Sequence, residues 1–208
     1  MPAVSATKSM ARFTPHLAAL ALLLTLIACS ARDFLTRRLA TDLILTSSGL
    51  KNPQQYLLRT GVLTGNDYPS PEYLVLQNHG WISASTVPCP AGLSPSPCWN
   101  IVLRPAGVEL IRSVLPGEDA RSSMSFPVAR RELIAVTGIT EQGSAADVEF
   151  EWKWDPLNEI GEALYSRDLR YKSVAGFRKY DDGWRPVEAV VRPGQSMDEA
   201  LKNAELIP

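Results

Sequence analysis

The run Ala146-Asp147-Val148-Glu149-Phe150-Glu151-Trp152-Lys153-Trp154 decides the fold. Val148, Phe150, Trp152 and Trp154 take every second position, and Asp147, Glu149, Glu151 and Lys153 fill the gaps. A period of two puts successive side chains on opposite faces of a strand. A helix would scatter both sets around its axis. The run therefore predicts a strand with an aromatic face for a core and a charged face for water.

Working outward, residues 132–141 are rich in β-formers (Leu133, Ile134, Val136, Thr137, Ile139, Thr140), and residues 171–180 make a third strand. Tyr180-Asp181-Asp182-Gly183-Trp184 fits a three-residue hairpin loop with Gly183 in the left-handed position, and residues 184–191 return. Residues 130–191 should thus form an antiparallel meander of about four strands, with a short helix at 158–165 between two of them. The tail restarts at Ser196, with Glu199 three residues on as a capping box and Met197, Ala200, Leu201 and Ala204 on one side of a terminal helix.

Toward the N-terminus, residues 116–125 read as a polar loop. Pro105 opens a helix over 105–114, preceded by strands at 81–87 and 99–104. Ser70-Pro71-Glu72 is a helix start (an N-cap, proline in the first turn, then an acid), and Gly80 ends that helix. Residues 55–63 are apolar and read as one strand, after a break at 49–53. Residues 32–46 place Phe34, Leu35, Leu39, Leu43 and Ile44 on one helical face. Packing on the core is the preferred role for that face. Lying on a membrane is the alternative, since Arg32, Arg37 and Arg38 suit anionic headgroups. The expected class is α+β: an N-terminal helix, a small helix–hairpin unit, and a C-terminal antiparallel meander with a terminal helix. Sixteen prolines and thirteen glycines favour a turn-rich, sheet-rich chain over a bundle. The order helix, two-strand ribbon, helix over 70–114 looks like part of a winged-helix module in topology only, without a basic recognition helix.

The first 31 residues carry only two charges, Lys8 and Arg12, and the first acid is Asp33. Residues 17–28 are an uncharged apolar run. As a helix the run spans roughly 18 Å, short of the roughly 30 Å hydrocarbon layer. A basic start, a short apolar middle and a small-residue end make a secretory signal. Met10 serves as a start as well as Met1. The run closes on Leu26-Ile27-Ala28-Cys29, which resembles the lipobox of bacterial lipoproteins. That resemblance implies a diacylglyceryl group on the Cys29 thiol, cleavage before Cys29 and acylation of the new amino group. An ordinary signal with an incidental cysteine is the competing reading.

Residues 1–28 are then the signal peptide, and 29–208 form one globular domain with possible subunits 29–115 and 126–208. Two or more acyl chains hold a protein stably on a bilayer. The expected place is the periplasmic face of a membrane. Ser30, where inner-membrane lipoproteins of enterobacteria carry Asp, leans toward the outer one. Losing Lys8 and Arg12 leaves net charge −3, against −1 for the whole chain. A near-neutral surface argues against nucleic acid as a partner.

Export makes an oxidising compartment, so Cys89 and Cys98, left after Cys29, are expected to pair as a disulfide rather than stay free. No further ligand stands near them for a metal site. His79, the one histidine after the signal, sits at a helix end, where a positive charge suits the dipole. As a general base it would need an orienting acid and a nucleophile. Asp147, Glu149 and Glu151 share a strand face; they are the solvated side of the strand, or a Ca²⁺ or acid–base set. Trp152 and Trp154 read as core. Trp81 and Trp99 flank the disulfide loop and pack or line a groove. No serine-hydrolase, zinc-protease or phosphate-loop motif occurs, so no catalytic residue, metal or cofactor is assigned.

Three functions remain from these residues. The leading one is a lipid-anchored accessory module of the cell envelope, with the membrane and another envelope protein as partners. The second is a carrier of a small apolar ligand, since long strands on an N-terminal helix resemble the cone-shaped folds of the nuclear-transport-factor and cystatin type. The third is an envelope hydrolase, which needs Asp147, Glu149 or His79 to meet in a cleft. The stretch 175–185, A-G-F-R-K-Y-D-D-G-W-R, is similar to the closing hairpin of bacterial envelope proteins and implies no activity.

Overall fold

The alternating run lies in the middle of a curled antiparallel sheet. The computed structural model describes residues 34–66, 68, 70–91, 97–117, 122–187 and 196–207. The expected signal and lipobox, with Cys29, lie outside the described residues, as does the 188–191 part of the expected returning strand. The elements, in order, are α1 (Arg37–Thr46), α2 (Ser48–Lys51), β1 (Gln54–Arg59), β2 (Gly61–Leu63), α3 (Pro71–Asn78), β3 (Ile82–Val87), β4 (Cys98–Leu103) and α4 (Pro105–Val114). Then come β5 (Ser123–Gln142), β6 (Ala145–Pro156), α5 (Glu159–Leu164), β7 (Arg170–Tyr180), β8 (Gly183–Pro186), α6 (Met197–Lys202) and β9 (Glu205–Ile207).

The large sheet has the order β1-β5-β6-β7-β8, with β9 also on β7, and β2-β4-β3 form a second sheet. The fold is the mixed helix-and-strand class expected, but the meander is six strands rather than about four. The two added strands are β1, on β5, and β9, which follows the terminal helix and pairs with β7. Two expectations also change. Residues 55–63 are not one strand: β1 pairs with β5, and β2 pairs with β4 in the other sheet. The chain breaks at Thr60 and Gly61, whose φ of 87° a side chain would disfavour. Second, the loop at 116–125 ends early, because β5 begins at Ser123 and runs 20 residues. Met124, Phe126 and Val128 are its buried alternate positions. Serines and a proline between them hide that period in the sequence.

Strand β5 carries core on both faces. Met124, Phe126 and Val128 join Tyr56, Leu58, Leu76, Ile82, Ile101 and Ile160 in one core. Ala129 and Val136, on the other face, join Val148, Phe150, Trp152, Phe177, Ile44 and Leu201 in a second. The two cores interleave along the chain and meet on β5. Register shifts at Leu133/Ala135 and Val136/Gly138 are the bulges that curl the sheet around α1, α2 and α6. Helix α1 packs as expected, with Leu35 just before it and Ala40 and Ile44 on it buried. Phe34 does not join that face and stands 65 % exposed. The helix starts at Arg37, later than expected, because Thr36 caps it by accepting from the Leu39 amide (3.2 Å).

Ser196 caps α6 as predicted, accepting from the Glu199 amide (3.2 Å). Ser70 stands at the N-cap of α3 but makes no capping bond there. The hairpin at 180–184 pairs Tyr180 with Gly183, so Asp181 and Asp182 form the turn and the loop is one residue shorter than expected. Gly183, at φ 128°, still takes a conformation that favours glycine.

Cys89 and Cys98 form a disulfide, with Cα atoms 5.0 Å apart. Cys98 is fully buried and opens β4 opposite Val87, so the bond staples the mouth of the β3–β4 ribbon. Replacing both cysteines by alanine is expected to cost about 2.5–3 kcal/mol, less whatever the neighbouring prolines already restrict. Urea melts of both forms, with and without reductant, check this. The reduced parent should match the double variant, and an unchanged midpoint would show that the ribbon holds without its staple.

Candidate functional site

The densest recognition chemistry lies at the waist, where the two cores meet. Helix α5 is seated there by Asn158. Its Oδ1 accepts from the Gly161 amide (3.0 Å), and its Nδ2 donates to the Pro127 carbonyl (2.7 Å). The chain then turns through Tyr165 to Leu169 into β7, and a cleft of about 520 Å³ opens against Pro156, Glu162, Tyr165, Arg167, Leu169 and Tyr171.

Its aromatic side is a continuous wall. Tyr171 stacks on Trp152 (4.7 Å, 20°) and Tyr165 tilts against Trp154 (4.5 Å, 45°). The two tryptophans meet edge to face at 5.2 Å. Behind them the Arg131 guanidinium lies 4.6 Å from the centre of the Trp154 ring and 5.4 Å from that of Trp152. Arg131 donates through Nη1 to the Gly49 carbonyl (2.9 Å), while its Nε is buried without a partner. Burial lowers the Arg131 pKa, against the pull of Tyr165 and Asp198. Burial raises that of Tyr165, with Glu72 adding to the rise and Arg131 opposing it. Tyr56, also buried with an unpartnered hydroxyl, is pushed well up by burial and then by Tyr73, Glu72 and Tyr165.

The polar side is exposed. Arg167 bridges Glu162 (3.2 Å) and the Pro156 carbonyl (3.3 Å), which holds the loop in place. Ring faces beside fixed charges suit the binding of a mixed polar and apolar segment.

The residues singled out from the sequence fall elsewhere. His79 is exposed at the end of α3, its ring stacked on Trp81 at 4.5 Å. Asp147, Glu149 and Glu151 lie on the outer face of β6, where Glu149 pairs with Lys172 (2.8 Å) and holds its ammonium pKa up. The structure does not bring His79 to these carboxylates. Among the described residues no group of three potential metal ligands forms. Trp81 and Trp99 do not line one groove. Trp99 faces Thr86 and Trp81 precedes Ile82, so they stand at opposite ends of the ribbon, about 17 Å apart along β3. Trp81 stacks on His79, and Trp99 packs on Tyr68 (4.8 Å).

Trp152 and Trp154 are core, as read, and they also back the cleft. The concave side of the sheet, where an apolar ligand would sit, holds Val148, Phe150, Ala175 and Phe177, each at most 1 % exposed. Sequence reasoning missed Arg131, Tyr165, Tyr171 and the loop between the tyrosines. The available signal was Tyr165-Ser166-Arg167-Asp168, a polar break flanked by aromatics between two strands. Among the described residues no helix is long and apolar enough to cross a membrane. No family model, curated protein or solved structure matches the chain.

Proposed function

We propose that the chain is a lipid-anchored accessory protein of the cell envelope, tethered through acyl chains on Cys29, that works by binding another envelope protein at the waist cleft. The single observation that carries the binding part is the cleft itself. It places two tyrosine faces, Leu169 at 40 % exposure and the Arg167–Glu162 pair on one open surface. Aromatic residues and arginine are enriched where proteins bind one another. The lipobox and the signal before it support the anchor, and the net charge argues against nucleic acid.

The test is a photo-crosslinking residue at Leu169 in intact cells, with the same residue at Val174, exposed beside Glu149 on the outer face of β7, as reference. A discrete adduct from Leu169, absent from Val174 and lost on Asp168→Lys at the exposed rim, is the expected result. No adduct, or equal adducts from both positions, would remove the cleft as the binding surface.

A further inference from the structure

We infer that the end of the domain where α1 begins rests on the bilayer, with Phe34 and Tyr180 in the headgroup layer and the waist cleft held away from it. This rests on the lipid anchor proposed above.

The chain enters the fold at one end of the large sheet. The Leu35 amide donates to Glu141 Oε1 (2.9 Å), and Arg37 Nη2 donates to the Thr137 carbonyl (3.1 Å). Glu141 lies beside the β5–β6 turn. The Lys179 amide donates to the Ser144 carbonyl in that turn (2.8 Å), which brings the β7–β8 turn to the same end. This end carries two large apolar groups in the open, Phe34 at 65 % and Tyr180 at 50 % exposure. The Arg185 guanidinium lies 5.6 Å from the centre of the Tyr180 ring, and Arg37, Arg38 and Arg178 stand nearby in the chain. Of the carboxylates there, Glu141 accepts from the Leu35 amide and Asp182 pairs with Arg185; Asp147 and Asp181 stand at the same end, and Asp33 precedes Phe34 in the chain. An apolar Phe and an amphipathic Tyr among arginines suit the headgroup layer, where the rings meet the acyl boundary and the cations meet phosphate.

Reach selects the same end. Five peptide steps separate Cys29 from Phe34, so the extended tether spans at most about 18 Å. Strand β6 runs from Ala145 at this end to Pro156 at the cleft, about 36 Å. The tether is half as long as the strand. The end bearing Phe34 therefore stays within reach of the bilayer, while the cleft lies at the far end of β6.

The experiment uses the full lipoprotein purified from membranes and reconstituted in phosphatidylethanolamine–phosphatidylglycerol vesicles. Its intact mass is read first, then hydroxyl-radical labelling residue by residue. Leu206, 56 % exposed on β9 at the Arg170 end of β7, is the internal reference. With acyl chains present, Phe34 and Tyr180 are expected to label about threefold less than Leu206, although aromatic rings react faster in water, because the headgroup layer covers them. Acyl chains with full labelling of Phe34 and Tyr180 would overturn the docking and leave the anchor standing. A mass without acyl chains would overturn both. In the double variant Phe34→Ser, Tyr180→Ser the protein should stay on the vesicles while Arg185 and Arg37 gain label. Unchanged labelling there would count against the docking equally.

Discussion

Trp152→Ala is expected to lower the stability of the domain by about 4 kcal/mol, the middle of the range for a large aromatic removed from a core. Trp152 is 2 % exposed and joins three elements. Its Nε1 donates to Ser173 Oγ (3.0 Å) on β7, and that hydroxyl donates onward to the Ala200 carbonyl (2.7 Å) on α6. Its ring supports Tyr171 on one side and Trp154 on the other, so the void would open behind the cleft wall. Trp152→Phe separates the two contributions. It keeps most of the ring volume and loses the indole donor, so about 1–2 kcal/mol is expected. Urea melts followed by far-ultraviolet circular dichroism measure both, since tryptophan fluorescence changes with the substitution itself. A loss under 2 kcal/mol for the alanine variant would mean that the wall is held from elsewhere.

The part of the fold readable in sequence was the part where one period ran without interruption. From Asp147 to Trp154 of β6 the apolar residues are Val, Phe, Trp and Trp and every intervening residue is charged, so the strand and its faces followed directly. Its outer face is indeed charged and partly solvated, with cross-strand pairs Arg130–Asp155 (2.8 Å), Glu132–Lys153 (3.3 Å) and Glu149–Lys172 (2.8 Å). Pairs this exposed add little stability each and mainly keep the face out of a core. The first part of β5 obeys the same period, but Ser123, Ser125 and Pro127 carry the turn composition that marks loops. The β1–β2 division was invisible for another reason: which of two sheets a strand joins depends on partners distant in the chain. The disulfide needed only cysteine counting and a compartment. The cleft needed Trp152 placed against Tyr171 and Trp154 against Tyr165, contacts that no spacing encodes. Arg131 was hidden because an arginine beside an apolar run reads as surface, whereas here its stem and ring contacts bury it.

Gly161→Ala is expected to cost about 3 kcal/mol, against the usual sign for such a change in a helix. Alanine gains about 1 kcal/mol over glycine in helix propensity, and Gly161 has no unusual backbone angle that needs a glycine. The packing decides otherwise. A Cβ at Gly161 would fall inside the contact radius of the Val128 carbonyl oxygen and against its carbon at 2.9 Å, with Pro156 Cβ at 3.3 Å. Two of the three obstacles are backbone of β5 and have no rotamer to yield. The Leu157 amide already bonds that carbonyl (2.9 Å), so moving it breaks the start of the α5 connection as well. The helix must lift instead, which draws Ile160, 2 % exposed, out of one core and tilts Tyr165 away from Trp154. Overpacking of this kind costs about 1–3 kcal/mol and more where backbone meets backbone. Gly138→Ala is the control: its Cβ would meet only Glu149 side-chain atoms at 3.5–3.6 Å, so a change within about 1 kcal/mol is expected. Denaturant melts compare the two, and the crosslink at Leu169 reads the cleft. Gly161→Ala should weaken both stability and crosslinking. A stable Gly161→Ala protein with an undiminished adduct would show that the waist tolerates a displaced α5, and that the geometry of Tyr165 is not what the partner reads.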